Sequence, residues 1–325
     1  MILSGDIGGT KTNLGLFQLE GDRLEPHAER SFASRDYRDL NSIVGEFLAS
    51  SPQSVSAACF GIAGPVIEGR VMTPNLPWVV EATALAQQLG LARVRLINDL
   101  EATGWGVGEL SPDELLTINE GRVEPANRAL LAAGTGLGTA GLIWDGQRHR
   151  VSASEAGHVD FAPTNKTEAA LLKHLAEKYG HVSVERVLSG PGLMNIYEFL
   201  LATSNLRERT ELSSRFDSED PASVISNAAI AGESQLAAQA LDILVSVYGS
   251  VAGNTALFFM ALGGMYIGGG IAPKIKDRLI EGDFMTAFSD KGRLSSVLKA
   301  IPVRIILNDK TALLGAARFA ATSGQ

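Results

Sequence analysis

Three short glycine-rich segments are the first places where this chain could do chemistry: Gly8-Gly9-Thr10, Gly134-Thr135-Gly136-Leu137-Gly138 and Ile267-Gly268-Gly269-Gly270. Glycine puts no Cβ between successive backbone N–H groups and whatever approaches them, and concavities of that kind bind anions. One such loop is equally an ordinary hairpin turn. Two of them between strands, with a third glycine run, point to a nucleotide. Rival nucleotide motifs fail. A Walker loop needs Gly-Lys followed by Ser or Thr, and the chain has no Gly-Lys dipeptide. Gly136, Gly138 and Gly141 fit G-x-G-x-x-G, but that pattern must open a helix. Here Leu142-Ile143-Trp144 followed by Asp145-Gly146 reads as a strand and a hairpin turn.

The candidate side chains each carry a structural alternative. Asn98-Asp99 ends a predicted strand, the place where α/β sheets put ligands. A carboxylate there can accept a proton from a hydroxyl nucleophile, or it can cap the following helix. Glu155 and His158 lie three apart in a loop with Gly157. Carboxylate and imidazole bond neighbouring hydroxyls well, but a lone histidine is as readily a satisfied structural one. Glu185, after Ser183, suits the first turn of a helix. Asp6 suits an Asx turn after the first strand. Lys11 is open between a phosphate contact and a solvated surface position.

The elements that must position these residues follow from periodicity and punctuation. Strands are expected at Ile2 to Asp6, Asn13 to Leu19, Val55 to Ile62, Val94 to Asn98, Leu130 to Ala133, Leu142 to Trp144, Met265 to Ile267 and Val303 to Leu307. Helices are expected at Ala82 to Leu89, from an N-cap at Thr167 to a C-cap at Gly180, and from about Lys310 to Ala321. Gly5 to Phe17 and Ala133 to Trp144 share one layout of strand, Gly/Thr loop and strand, which suggests duplication into two related domains. No charged residue occurs from Ile243 to Pro273. Gly263-Gly264 and Gly268-Gly269-Gly270 interrupt the stretch, so a buried core helix, a turn and a strand are expected rather than a membrane span.

Composition narrows the classes. The 325 residues suggest two domains. Apolar residues at 45% and charged residues at 20% are those of a globular protein. The formal net charge of −8 argues against nucleic acid as a partner. The single cysteine, Cys59, excludes an internal disulfide and a thiolate metal cluster and fits a reducing cytoplasm. The first residues carry no signal-peptide pattern.

Asp6-Ile7-Gly8-Gly9-Thr10-Lys11-Thr12, Gly134 to Gly138 and Ile267 to Gly270 resemble the phosphate-1, phosphate-2 and adenosine motifs of the sugar kinase/actin/heat-shock-70 superfamily. With Ile97-Asn98-Asp99, Glu155 to Pro163 and Gly180 to Gly192, nearly the whole chain resembles bacterial ATP-dependent glucokinases. Ala156 departs from the glycine often found there. The resemblance implies an α/β, two-domain actin-like ATPase (ribonuclease-H-like) fold with an interdomain cleft. Residues 1–107 with 301–325 would form the small domain, closed by the C-terminal helix, and 108–300 the large one. It further implies ATP and Mg²⁺ as cofactors, D-glucose as substrate and a cytoplasmic homodimer, with no nucleic acid and no membrane as partner. Asp99 would be the catalytic base, and Asn98, Asp99, Glu155, His158 and Glu185 would bind the sugar. Gly5, Asp6, Ile7, Gly8, Gly9, Thr10, Thr135, Gly136, Gly138 and Gly269 would hold the nucleotide, with Asp6 reaching Mg²⁺ through water. Two alternatives stand beside this: a kinase for another hexose, and a non-catalytic sugar-sensing regulator. The regulator would need a helix-turn-helix ahead of a first motif that here begins at residue 5. The single cysteine excludes the Cys-rich zinc site of the repressor-related kinases. Asp290-Lys291-Gly292-Arg293 receives no role.

Overall fold

The computed structural model of the chain describes residues 1–73, 76–206 and 210–322. They separate into two units: unit 1 holds residues 1–114, 149–153 and those from 308 onward, and unit 2 holds 115–148 and 154–307.

The chain begins with β1 (Ile2–Ile7), β2 (Lys11–Glu20), β3 (Arg23–Ala33), α1 (Leu40–Ser50), β4 (Ala57–Ile62), β5 (Arg70–Met72), β6 (Val79–Glu81), α2 (Ala82–Leu89), β7 (Arg95–Asn98) and α3 (Asp99–Gly106). The main sheet of unit 1 runs β3-β2-β1-β4-β7. β1 pairs antiparallel with β2 and parallel with β4, and β4 pairs parallel with β7. A central strand covered on both faces must be apolar or small along its length. β1 obeys: Leu3, Ser4 and Ile7 are buried, and Gly5 leaves room for the Phe60 ring of β4, which a Cβ would overlap.

The chain continues with β8 (Leu115–Asn119), β9 (Arg128–Ala133), β10 (Leu137–Trp144), β11 (His149–Ser154), α4 (Lys166–Tyr179), α5 (Gly190–Thr203), α6 (Thr210–Arg215), α7 (Pro221–Ile230), α8 (Gln235–Phe259), β12 (Gly264–Gly268), α9 (Lys276–Glu281), α10 (Phe284–Ser289), α11 (Ser295–Ala300), β13 (Val303–Ile306) and α12 (Thr311–Thr322). Within unit 2 the strands run β10-β9-β12-β13-β8. β9 is antiparallel to β10 and parallel to β12, and β12 is parallel to β13. This repeats the β2-β1-β4-β7 plan of unit 1, with a Gly/Thr loop at the tip of each first hairpin. The duplication expected from the two glycine loops is therefore present in the strand pairing.

α8 is the helix among the described residues that is long and apolar enough to cross a bilayer, and 67% of its most apolar window is buried. Leu241, Leu244 and Tyr248 lie in the unit 2 core with Met265 and Ile267 of β12. It is a core helix. Ser234 caps it by accepting the Ala237 N–H at 3.1 Å.

Two local expectations need correction. The N-cap of α4 is Asn165, not Thr167: its Oδ1 accepts the Glu168 N–H at 3.0 Å. Glu168 reaches back to the Thr164 N–H at 2.6 Å, forming a reciprocal cap that leaves Thr167 inside the first turn. β10 also begins at Leu137, five residues before the predicted strand. Gly138 and Gly141 belong to the strand, and Gly141 is glycine because the Phe259 ring lies where its Cβ would be. The loop itself is only Gly134 to Gly136.

The C-terminal helix α12 packs in unit 1. Leu313, Ala316, Ala317 and Ala320 share a cluster with Ile2, Phe17, Cys59 and Ile97. α12 crosses α3 at glycines: a Cβ on Gly315 would sit inside the Ala102 carbonyl, and one on Gly106 inside the Thr311 carbonyl. Ser4 Oγ donates to the Leu313 carbonyl at 2.5 Å. The Arg318 guanidinium clasps the Glu109 carboxylate at 2.6 and 2.7 Å.

Candidate functional site

In unit 1, β7 delivers Asn98 and Asp99 to the start of α3. Asn98 is the N-cap. Its Oδ1 accepts the Leu100 N–H at 2.9 Å and its Nδ2 donates to the Gly64 carbonyl at 3.2 Å. The capping role open for Asp99 thus falls to its neighbour, and Asp99 occupies the first helical position. One Asp99 oxygen accepts from Leu100 N at 2.9 Å.

Asp6, at the end of β1, feels the charges of Asp99, Lys11 and Asp309. Burial pushes its pKa up to about 6, and the Asp99 and Asp309 carboxylates add to the rise. The Asn13 amide, donating to Asp6 Oδ2 at 3.2 Å, opposes it. Asn13 is held in turn by Ser31 Oγ, 2.7 Å from its Oδ1.

The loop that follows has its own support. Gly8 N–H closes the turn onto the Lys11 carbonyl at 3.0 Å. Ser34 Oγ donates to the Gly8 carbonyl at 2.8 Å and Ser34 N–H to the Thr10 carbonyl at 3.0 Å. Ser34, Asn13 and Asp309 were not among the residues the sequence singled out. Asn13 flanks a recognised motif, but nothing local marks Ser34, whose partners lie some two dozen residues earlier in the chain. Gly5 and Ile7 lie buried within β1, with the Ile7 side chain in the core. Thr10 and Lys11 are exposed.

Unit 2 gathers the remaining candidates. Glu185, in the turn Val184–Arg186, accepts the Leu137 N–H at 2.8 Å through Oε2. A Cβ on Gly136 would stand 2.8 Å from that same oxygen. The Glu155 and His158 side chains approach to 4.0 Å, both largely exposed. Between them Gly157 is obligatory, because a Cβ would fall inside the Leu137 carbonyl. Backbone bonds from Phe161 N to Val182 O and from Val184 N to Val159 O, each 2.9 Å, fasten the Glu155 segment to the Glu185 segment. Glu155 with His158 and, about 30 residues later, Glu185 therefore stand on two loops tied together beside the start of β10.

The same loop borders a cavity of about 670 Å³ whose lining includes Gly134, Thr135, Gly190, Pro191, Gly270 and Ile271. Gly190 N–H donates to the Gly134 carbonyl at 2.8 Å, which fixes the N-terminus of the 14-residue α5 next to the glycine loop. With Gly190 bonded to Gly134, Pro191 lacking an N–H and the Gly192 N–H held by Ser189 Oγ at 3.0 Å, this end of α5 offers an anion its dipole rather than a free donor. Gly269 has φ +82°, and a Cβ there would overlap Ala133. Thr135 is exposed at the loop tip and Gly138 is half-buried in β10. Lys291, in the segment without an assigned role, is half-buried and donates to Ser250 Oγ at 3.3 Å.

Among the described residues no three or more His, Cys, Asp or Glu side chains gather to hold a metal ion. The Asp99 carboxylate nonetheless raises the cost of ionising Asp6 in unit 1. That set fits Mg²⁺, which keeps most of its waters and is held by one or two carboxylates together with substrate phosphates. Asp6 would be the residue on its outer side.

A family model described as Glucokinase matches residues 3–323. The glucokinase of Nostoc sp. is 42% identical, with 99% of each chain aligned. Among solved structures, a glucokinase from an Antarctic psychrotroph superposes with a TM-score of 0.88 at 31% identity, over 99% of this chain and 98% of that one. A glucokinase of the ROK family from Streptomyces griseus, solved with glucose and AMPPNP, superposes with a TM-score of 0.65 at 22% identity over 99% of both chains. That last likeness carries the fold alone.

Proposed function

We propose that this chain, a member of the glucokinase family, transfers the terminal phosphoryl group of ATP to the 6-hydroxyl of D-glucose, and that its own residues share that reaction. Asp99 accepts the proton of the 6-hydroxyl as that oxygen attacks the γ-phosphorus and ADP departs. Asn98 has its Oδ1 committed to the helix cap, so it meets the sugar through the second hydrogen of its amide. Glu155, His158 and Glu185 bind the remaining hydroxyls. The amides of the two glycine loops other than those of Gly8, Gly134 and Leu137, which are bonded within the protein, hold the phosphates, and the 670 Å³ cavity beside Gly270 takes the adenosine. Bound with the nucleotide, Mg²⁺ would add positive charge at the phosphate oxygens, and Asp6 would hold its water shell.

The observation that carries this division is the Glu185 carboxylate seated on the Leu137 amide. A carboxylate that fills one lone pair on the glycine loop and keeps others for a ligand joins the hydroxyl-binding residues to the phosphate-binding ones inside one unit. The family resemblance supports a cytoplasmic homodimer with no nucleic acid or membrane as partner. Sedimentation checks the assembly.

The test is a thermal-shift series with glucose, mannose, fructose and galactose, run beside coupled ADP release. Glucose should raise the melting temperature of the wild type by mass action on the folded state, and much less that of Glu155→Ala or His158→Ala. If another hexose shifts the wild type and glucose does not, the sugar assignment of these residues fails.

A further inference from the structure

We infer that Ser34, which the sugar and nucleotide assignments leave out, is a positioning residue that aims the Gly9 amide at the phosphates of ATP. The inference rests on the phosphate-loop reading of Gly8 to Thr10 above. Ser34 is fully buried at the end of β3, and its bonds converge on the loop. Its Oγ donates to Gly8 O at 2.8 Å, and its N–H donates to Thr10 O at 3.0 Å. Thr12 Oγ1 lies 2.9 Å from Ser34 Oγ. A hydroxyl has one proton. Since that of Ser34 goes to Gly8, Thr12 is the donor in this pair, and the chain of bonds has one direction: Thr12 to Ser34 to Gly8.

Peptide geometry turns this anchoring into aim. The Gly8 carbonyl and the Gly9 N–H belong to one planar trans unit and point opposite ways. Holding the carbonyl inward against Ser34 therefore turns the Gly9 N–H outward, away from the core. The neighbouring Gly8 N–H is already spent on the Lys11 carbonyl. A glycine-glycine step is the part of a chain least able to hold one orientation by itself, so the orientation must come from outside the loop. Ser34 supplies it from the turn that follows β3.

The test is steady-state kinetics of Ser34→Ala and Ser34→Thr against the wild type, varying ATP and glucose separately, with melting temperatures measured alongside. One neutral hydrogen bond corresponds to roughly a five- to tenfold change in an equilibrium constant. Ser34→Ala should raise the KM for ATP by about that factor and lower kcat, with the KM for glucose held within about twofold. Ser34→Thr keeps the hydroxyl and should recover most of the ATP affinity. Should Ser34→Ala fail to accumulate, Ser34→Cys, close in volume and a weak donor, carries the same comparison. A KM for ATP that stays at the wild-type value, or KM values for ATP and glucose that rise together, would overturn the positioning role. If Gly9→Val in otherwise wild-type protein leaves the KM for ATP unchanged, it is the phosphate-loop reading that fails.

Discussion

Asp99 and Asn98 split duties that sequence alone leaves merged. Because Asn98 caps α3, Asp99→Asn should cost little stability while removing the proposed proton acceptor. Turnover should fall by about two orders of magnitude or more, with glucose binding by calorimetry retained; a variant keeping a tenth of wild-type kcat would dismiss Asp99 as the base. Asp6 carries a different signature. Its folded pKa is about 6, raised by burial, above an unfolded value near 3.9. Below about pH 4 the group is protonated in both states. Between about 4 and 6 the folded state binds the extra proton, so its contribution to stability is lost as pH rises through that window. Asp6→Asn lacks the titration. In ligand-free protein its stability advantage over wild type should grow by up to about 3 kcal/mol from pH 4 to pH 7, read from denaturant midpoints. A pH-independent difference would place the Asp6 carboxyl in water.

The glycines sort by what stands opposite each one. At Gly136 a side chain meets the Glu185 carboxylate before it meets any nucleotide, so Gly136→Val should raise the KM for glucose as well as for ATP. Gly270 faces open space beside the large cavity. Gly270→Val should raise the KM for ATP several-fold and leave that for glucose and the melting temperature nearly unchanged; matched effects at both positions would collapse the distinction. Gly315 has a third role, the close crossing of α12 over α3. Gly315→Ala should destabilise by about 1–3 kcal/mol through overpacking, and it should lower kcat because α3 carries Asp99. What was legible in the sequence follows the range of the forces. The hairpins with their glycine loops, α2 and the end of β7 were readable because periodicity and turn residues are local. The start of β10 was not, because Gly141 answers to a ring on α8. Thr167 looked like a cap only until Asn165 and Glu168 closed their reciprocal bonds. Ser34 left no trace, since its meaning lies in carbonyls across a β-hairpin.

At the scale of the molecule, one strand plan serves twice, and each unit has a separate core. Cys59 lies in the unit 1 core, under α12, and burial holds its thiol far above the ordinary range. It should resist a disulfide exchange reagent in the native protein and react once unit 1 opens; labelling at the rate of a free thiol in native buffer would contradict the packing. That thiol also reports on the manner in which the chain is made. Unit 1 takes β1 from residues 2–7 and its closing helix from residues 311–322, with all of unit 2 encoded between them. On the ribosome, β1 to α3 emerge first yet lack the Leu313-Ala316-Ala317-Ala320 face that covers Ile2 and Phe17. The later-translated unit therefore has all its parts before the earlier one does. A chain stopped after Leu307 should keep a cooperative thermal transition from unit 2 while Cys59 labels freely. Unit 1 would then stay unfinished throughout the synthesis of unit 2, and phosphoryl transfer would begin only when α12 seats.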